Sequence, residues 1–485
     1  MLDIDWKIDK SSSKPLYKQI VEYFKTKINS GDWPVGLIIP PQRKLADMLC
    51  VNRSTIVTAL DELKAEGILE GNGKAGTRIV DNTLVAIAKL QPKWQSYIEE
   101  GIHIPNLNTI KQINKLDFDK NIIRLSSGEA SPDLLPGDTM STILKEVSKD
   151  IPNLGYEEPK GMLYLREQVS KYLKKYGIEA SPNSILIVSG ALQAVQLVTM
   201  GLMQPGATVF LEKPSYLYSL QMFQSMGMRR SGLPMDKEGI RADLISKDKR
   251  KHGLSILYTI PSFQNPTGIV MSEARRRQLI EVCQKEKLPI IEDDVYRELW
   301  LDAPTPNPIK SLDKTGLVLY VGSVSKTLSP GLRIGWIVGP EPVIERLSDI
   351  KMQTDYGSSS LSQLAVAKWF ETGLYAENLE YLRKQLYKRR EVTIYALQKY
   401  FGDIASFDIP LGGYFMWLEI KYPINMYKLF EEACKIGILM YPGHIYDTNL
   451  NQYLRISYSY ACIPDLQKGI YELSKLVRKL ILEKS

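Results

Sequence analysis

Apolar side chains recur at four-residue steps at Leu16, Ile20, Phe24 and Ile28, directly after Pro15, and this spacing predicts a first helix. Gly31, Pro34 and Gly36 interrupt it, and a second helix fits Gln42–Leu49 with Leu45 and Leu49 turned inward. Cys50, Val51 and Asn52 make a turn. Asn52 is a favourable N-cap for a third helix, whose Ile56, Ala59, Leu60 and Leu63 form an apolar stripe, and Gly67 is its natural stop. From Ile68 to Val80 the pattern is strand, glycine-rich turn, strand, which is the shape of a β-wing. Residues 1–80 therefore read as an α+β winged helix-turn-helix.

From Asp81 to Asn121 the pattern is irregular, with Pro92, Pro105 and several Asn, and residues 81–121 read as an interdomain linker holding one helix around Trp94–Glu100. Beyond Ile122, strand-like runs at Ile185–Ser189, Thr208–Glu212, Ser255–Thr259, Pro289–Glu292 and Leu317–Gly322 alternate with helical stretches, so residues 122–485 are expected to form a largely parallel α/β domain. The apolar run from Ile185 to Met203 is broken by Ser189, Gly190, Gln193 and Gln196, which excludes a membrane span and predicts a buried strand running into a helix.

At 485 residues the chain is long enough for two or three domains, and its 44% apolar and 24% charged composition is that of a globular protein. Asp3, Asp5 and Lys7 around Trp6 match neither a secretory signal nor a transit peptide, so a cytoplasmic location is expected. Cys50, Cys283, Cys434 and Cys462 stand singly, without metal-ligand spacing, and read as reduced core residues; with three histidines in all, no metal site is expected. The net charge of +7 says little about nucleic acid, since residues 1–80 hold 12 Lys/Arg against 10 Asp/Glu.

Placement is more informative than net charge. In a helix-turn-helix the second helix enters the major groove by its N-terminal end, here Arg53, Ser54, Thr55 and Thr58. Arg43 and Lys44 before it, and Lys74 and Arg78 in the wing, are placed for phosphate contacts, while Asp61, Glu62, Glu66 and Glu70 occupy the opposite end. Periodicity alone serves a helical protein-interaction or dimerisation arm equally well. The run Ile39-Pro40-Pro41-Gln42-Arg43-Lys44-Leu45-Ala46, then Val51-Asn52-Arg53-Ser54-Thr55-Ile56, then Glu66-Gly67 and Gly76-Thr77, resembles the GntR-type winged helix over about residues 15–80, with Gln42 and Asn52 in place of the usual serines. The resemblance implies double-stranded operator DNA as a partner.

The strongest chemical signal lies in Gly322-Ser323-Val324-Ser325-Lys326-Thr327, followed by Arg333. Lys326 after a buried strand is a candidate Schiff-base lysine, with Ser323, Ser325 and Arg333 as phosphate ligands. Asp293 ends another strand and could keep a proton on a pyridine nitrogen, and Tyr296 and Asn265 could reach the ring oxygen. The amides of Gly190 and Ala191 open a helix and suit a phosphate, and Tyr216 could stack on the ring. Taken singly, Asn265 is also an ordinary Asn-Pro turn and Tyr216 ordinary packing.

Together these segments resemble the fold-type I, class I/II aminotransferases from about Ile122 onward, which implies pyridoxal 5'-phosphate as cofactor, a large part over about 150–345, and a small α+β part over about 122–149 and 346–485. The resemblance further implies that Arg455 binds a substrate α-carboxylate, Gly128 lies along the substrate, and Tyr156 reaches the phosphate of the neighbouring subunit in a head-to-tail homodimer. A salt bridge is the alternative for Arg455. Asp355–Ser362 and Met440–Asp447 are expected to line the pocket.

The fusion resembles the MocR subfamily of GntR regulators. That implies a transcription regulator sensing an amino acid, an amine or the cofactor itself by aldimine exchange at Lys326. A working aminotransferase with an accessory winged helix is the alternative, because Asn265, Asp293, Tyr296, Lys326 and Arg455 are all present and Asp-Asp-Val-Tyr is the enzymes' order. A binding protein that holds the cofactor without chemistry is the third.

Overall fold

In the computed structural model, Leu16–Asn29 (α1), Gln42–Leu49 (α2) and Arg53–Ala65 (α3) are helices at the positions the apolar period requires. Ile20, Phe24, Leu45, Leu49, Ile56, Ala59, Leu60 and Leu63 close on one another as a single core. Ile38–Ile39 (β1), Leu69–Gly71 (β2) and Thr77–Ile79 (β3) form a small antiparallel sheet in the order β1-β3-β2. The β1 strand, absent from the sequence reading, pairs Ile38 with Arg78 and Ile39 with Thr77. Asn52 stands at the N-cap of α3, but its side chain makes no capping hydrogen bond. The sequence identified the position correctly and the interaction incorrectly.

The structure describes residues 4, 6–29, 32–34, 36–71, 76–80, 97, 100–103, 105–149, 151 and 155–483. Lys74 in the wing, and the expected linker helix apart from Tyr97 and Glu100, lie outside them. The chain divides into two units, Met1–Gly101 and Ile102–Ser485.

The second unit is built on an eight-stranded sheet of Ile185–Val188 (β5), Thr208–Lys213 (β6), Arg229–Asp236 (β7), Gly239–Ile240 (β8), Ser255–Thr259 (β9), Ile290–Asp293 (β10), Val318–Ser323 (β11) and Gly335–Val338 (β12), in the order β5-β12-β11-β10-β9-β6-β7-β8. The pairs β10/β11, β9/β10, β6/β9 and β6/β7 are parallel, and β12 runs antiparallel between β11 and β5. β5 and β10 to β12 are buried at every position, as a sheet covered on both faces demands. The run Ile185–Met203 is β5 followed by the helix Ala191–Leu202. Among the described residues no helix is long and apolar enough to cross a membrane.

A smaller antiparallel sheet joins Ala405–Phe407 (β13), Phe415–Ile420 (β14), Tyr441–Pro442 (β16) and Tyr453–Ser457 (β17) in the order β13-β14-β17-β16. Ile438–Leu439 (β15) pairs with Ile123–Arg124 (β4), which brings the chain around residues 123–128 against this sheet. The four cysteines are free, but Cys50 and Cys462 are exposed, so the reading of all four as core residues is corrected. Cys50 ends α2 in a left-handed turn and Cys462 precedes the final helix; both are helix boundaries facing solvent.

Candidate cofactor and ligand site, and the helix-turn-helix surface

On the first unit, Arg53, Ser54 and Thr58 are exposed at the N-terminal end of α3 and Thr55 is half-buried. The Arg53 guanidinium donates to Gln42 Oε1 over 3.3 and 3.4 Å, so the glutamine that replaces the usual serine orients the arginine across the turn. Thr58 turns its hydroxyl back to Ser54 O at 3.0 Å. Arg43 and Lys44 are exposed, whereas Arg78 is paired with Glu70 at 2.8 Å.

In the second unit every loop after the C-terminal end of β5, β6, β9, β10 and β11 opens at one edge of the sheet, and the antiparallel β12 starts there. Ligand crevices of open α/β sheets sit at this edge. The loops bring Ala191, Tyr216, Asn265, Asp293, Tyr296, Ser323, Ser325, Lys326 and Arg333 onto one cavity of about 490 Å³, a size that suits a small ligand. Gly128 and Arg455 reach it from the smaller part of the unit.

At one end Gly190, at φ 88°, turns the chain into the helix beginning at Ala191. Arg333 donates to Ser189 O at 2.6 Å, and a Cβ on Gly190 would lie 2.6 Å from its Nη2. A free helix N-terminus beside this guanidinium is an anion cradle that only glycine leaves open. Ser323 accepts from the Ser325 amide at 3.1 Å and lies 2.9 Å from Ile334 O, shaping the turn that presents Ser325.

Across the cavity Asp293 accepts from Tyr258 OH at 2.6 Å, while Asp294 is tied to Ser262 at 2.6 Å and to Arg297, so of the two consecutive aspartates only Asp293 faces the cavity. Asn265 Nδ2 lies 3.5 Å from Tyr296 OH. Buried Glu212 accepts from Thr259, from the Ile260 amide and from Gln264, and so pins the loop that carries Asn265.

Lys326 Nζ donates to Gly128 O at 2.6 Å. Burial pushes its amine down to about 8, against the upward pull of Glu129. Burial likewise raises Asp293 to about 6, with Tyr258 opposing, and Asp293 remains mainly ionised at neutral pH. Arg455, on β17, donates to Asn265 Oδ1 at 2.6 Å and to Ser126 O at 2.5 Å; its Nε has no partner, and among the described residues no carboxylate pairs with it. The alternative of a salt bridge is not what the structure contains. This donor set matches a flat cofactor with an anionic tail at Gly190 and Arg333 and a ring nitrogen at Asp293, beside a carboxylate-bearing ligand at Arg455.

Residues 16–79 match the model of bacterial regulatory proteins of the gntR family, and residues 120–466 match that of aminotransferase class I and II. The HTH-type transcriptional regulator YdfD of Bacillus subtilis (strain 168) is 52% identical over 472 residues, 97% of this chain and 98% of the relative. The chain belongs to the MocR subfamily of GntR regulators. The HTH-type transcriptional regulator NorG of Staphylococcus aureus (strain N315) is 33% identical over 91% of this MocR-type chain and all of its own length. Among solved structures, the multiple substrate aminotransferase of Thermococcus profundus superposes with a TM-score of 0.76 at 26% identity, over 81% of this chain and 100% of that one. The Pyrococcus horikoshii kynurenine aminotransferase, solved with PMP, gives 0.74 at 28% identity, over 82% and 99%.

Three lining residues of this MocR-type site escaped the sequence reading: Tyr258 on a strand, Glu129 beside Gly128, and Asp117 at the end of the helix Asn108–Leu116. Each stands in a run whose pattern is fully explained by secondary structure, so only proximity marks it. Of the two segments expected to line the pocket, Met440–Asp447 supplies Tyr441, Ile445 and Tyr446, whereas Asp355–Ser362 supplies none. Tyr156 is 81% exposed, with its ring 4.8 Å from that of Tyr356.

Proposed function

We propose that this chain is a transcription regulator that binds operator DNA through Met1–Val80 and senses an amino acid or amine through pyridoxal 5'-phosphate held by Lys326. The observation that carries the reading is the convergence on one cavity of a half-buried Lys326, a buried Asp293 and an Arg455 that has no carboxylate partner among the described residues, in a chain that also contains a helix-turn-helix.

Pyridoxal phosphate supplies, when bound, an aldehyde that condenses reversibly with amines and a ring that withdraws electrons from them. Gly190, Ala191, Ser325 and Arg333 would hold the phosphate. Asp293 would keep a proton on the ring nitrogen, Asn265 and Tyr296 would donate to the ring oxygen, and Tyr216 would pack on the ring. Lys326 is a competent nucleophile because a pKa near 8 leaves a usable neutral fraction at physiological pH. Lys326 would give up its hydrogen bond to Gly128 O on linking to the cofactor, and Arg455 would orient the ligand's carboxylate. In a head-to-tail homodimer the exposed Tyr156 reaches the phosphate held by the partner subunit. Altered contacts of Lys326 and Arg455 on ligand binding would shift the dimer between arrangements that space the two winged helices differently.

The test is an operator titration at fixed salt, with wild type and Lys326→Ala, with and without pyridoxal phosphate and amino acids. Specific binding that responds to cofactor and amine in the wild type only is expected; an identical affinity and footprint in every arm would overturn the reading. Assembly of Asn265, Asp293, Tyr296, Lys326 and Arg455 around one cavity favours transamination as a second activity, and turnover of an amino acid with a 2-oxo acid decides it.

A further inference from the structure

Six charged side chains line the cavity: Asp117, Glu129, Asp293, Lys326, Arg333 and Arg455. In the reading above, four of them have an assigned partner. Arg333 faces the phosphate, Asp293 the ring nitrogen, Arg455 the ligand's carboxylate, and Lys326 forms the link to the cofactor. Asp117 and Glu129 remain without an assigned partner; the cations nearest Glu129 are Lys326, which this reading gives to the cofactor, and Arg124.

Among the described residues neither acid forms an ion pair. Asp117 accepts from Ser127 Oγ at 2.6 Å and from Tyr441 OH at 3.4 Å, both uncharged. No side chain among the described residues hydrogen-bonds or ion-pairs with the Glu129 carboxylate. Arg124, the other cation near Glu129, donates to Tyr460 OH at 2.8 Å and lies over that ring, outside the cavity lining. Burial and the Asp117 charge together raise the Glu129 carboxyl against the downward pull of Lys326 and Arg124. The same cavity holds two buried donors that have no partner among the described residues, Arg455 Nε and Tyr446 OH, in residues only 3% and 1% exposed. A ligand with an anionic end and a cationic end satisfies all of these groups together.

We infer that the effector is an α-amino acid with a second cation on its side chain, its carboxylate on Arg455 and its distal cation between Glu129 and Asp117. This rests on the sensing reading of the same site and adds the class of ligand. Gly128 adjoins Glu129 and receives Lys326 Nζ, so Glu129 lies at the end of the cavity where the ligand's reacting amine must sit, with Asp117 near enough to act on it.

The test uses the full chain loaded with pyridoxal phosphate. Dissociation constants for L-lysine and L-ornithine are measured against L-norleucine, L-norvaline and L-glutamate, by cofactor absorbance and by calorimetry. The cationic ligands are expected to bind at least tenfold tighter than their apolar counterparts, a single charge-assisted contact being worth about that much. In Glu129→Gln with Asp117→Asn the preference is expected to fall to within about twofold. Norleucine or glutamate binding as tightly as lysine, or a preference that survives the double substitution, would overturn the class while leaving the sensor intact. Failure of every amino acid to bind would overturn the sensing reading beneath it. The wild-type ligand series decides the class by itself where a variant does not take up the cofactor.

Discussion

Replacing Arg455 by methionine removes the guanidinium while keeping an apolar stem between Phe415 and Tyr441, whose ring centres lie 3.9 and 4.9 Å from the guanidinium carbon. Arginine carries five N–H donors. Two are engaged, one by Asn265 and one by Ser126, and Nε is free. A carboxylate bound by two of the remaining donors gains two charge-assisted hydrogen bonds, each about 1.5–3 kcal/mol. At the lower bound the sum is about 3 kcal/mol, or more than a hundredfold in affinity. The assay compares L-lysine with cadaverine, the same diamine without its carboxylate, by absorbance titration of the cofactor-loaded chain. Wild type is expected to prefer lysine by about a hundredfold, and Arg455→Met to bind both alike. Lost hydrogen bonds to Asn265 and Ser126 are offset by removal of a cation buried without an acid, so Tm should move by only about a few degrees. An Arg455→Met protein that keeps the preference would show that the carboxylate is held elsewhere and that Arg455 serves packing alone.

Gly190→Ala places a Cβ 2.6 Å from Arg333 Nη2 at a backbone of φ 88°, where strain costs about 1–3 kcal/mol; cofactor affinity is expected to fall about tenfold, and an unchanged dissociation constant refutes the cradle. Capture of the cofactor requires neutral Lys326, so its rate should rise with pH and level off above about 8, with Glu129→Gln moving the midpoint lower because Glu129 pulls that amine upward; a midpoint near 10.5 refutes the burial argument. Between about 8 and 10.5 the unfolded chain binds more protons at this lysine than the folded one, so cofactor-free stability should gain from it as pH rises, a gain absent from Lys326→Met in urea unfolding. Arg53→Ala should weaken binding to operator DNA by about 10- to 100-fold with little effect on random DNA, whereas Arg43→Ala should weaken both and lower the salt slope by about one; equal losses on both DNAs for Arg53→Ala would remove it from base reading.

What the sequence by itself determined is whatever depends on neighbours along the chain. The period of Ile20, Phe24, Ile56 and Leu60 set the helices of the first unit, and apolar runs bounded by turn residues set β5, β9, β10 and β11, because side-chain direction follows backbone period. Lys326, Asp293 and Asn265 were legible for the same reason, each standing just past the end of such a run. Only the tertiary structure decided which of Asp293 and Asp294 faces the cavity, that Asn52 does not cap, and that Arg455 has no acidic partner. It alone brought Asp117 and Glu129, from separate turns of the chain, onto one cavity with Lys326, about two hundred residues further on. Charges so distant in sequence leave no local pattern, and their energy depends on burial and separation, which exist only once the chain has folded.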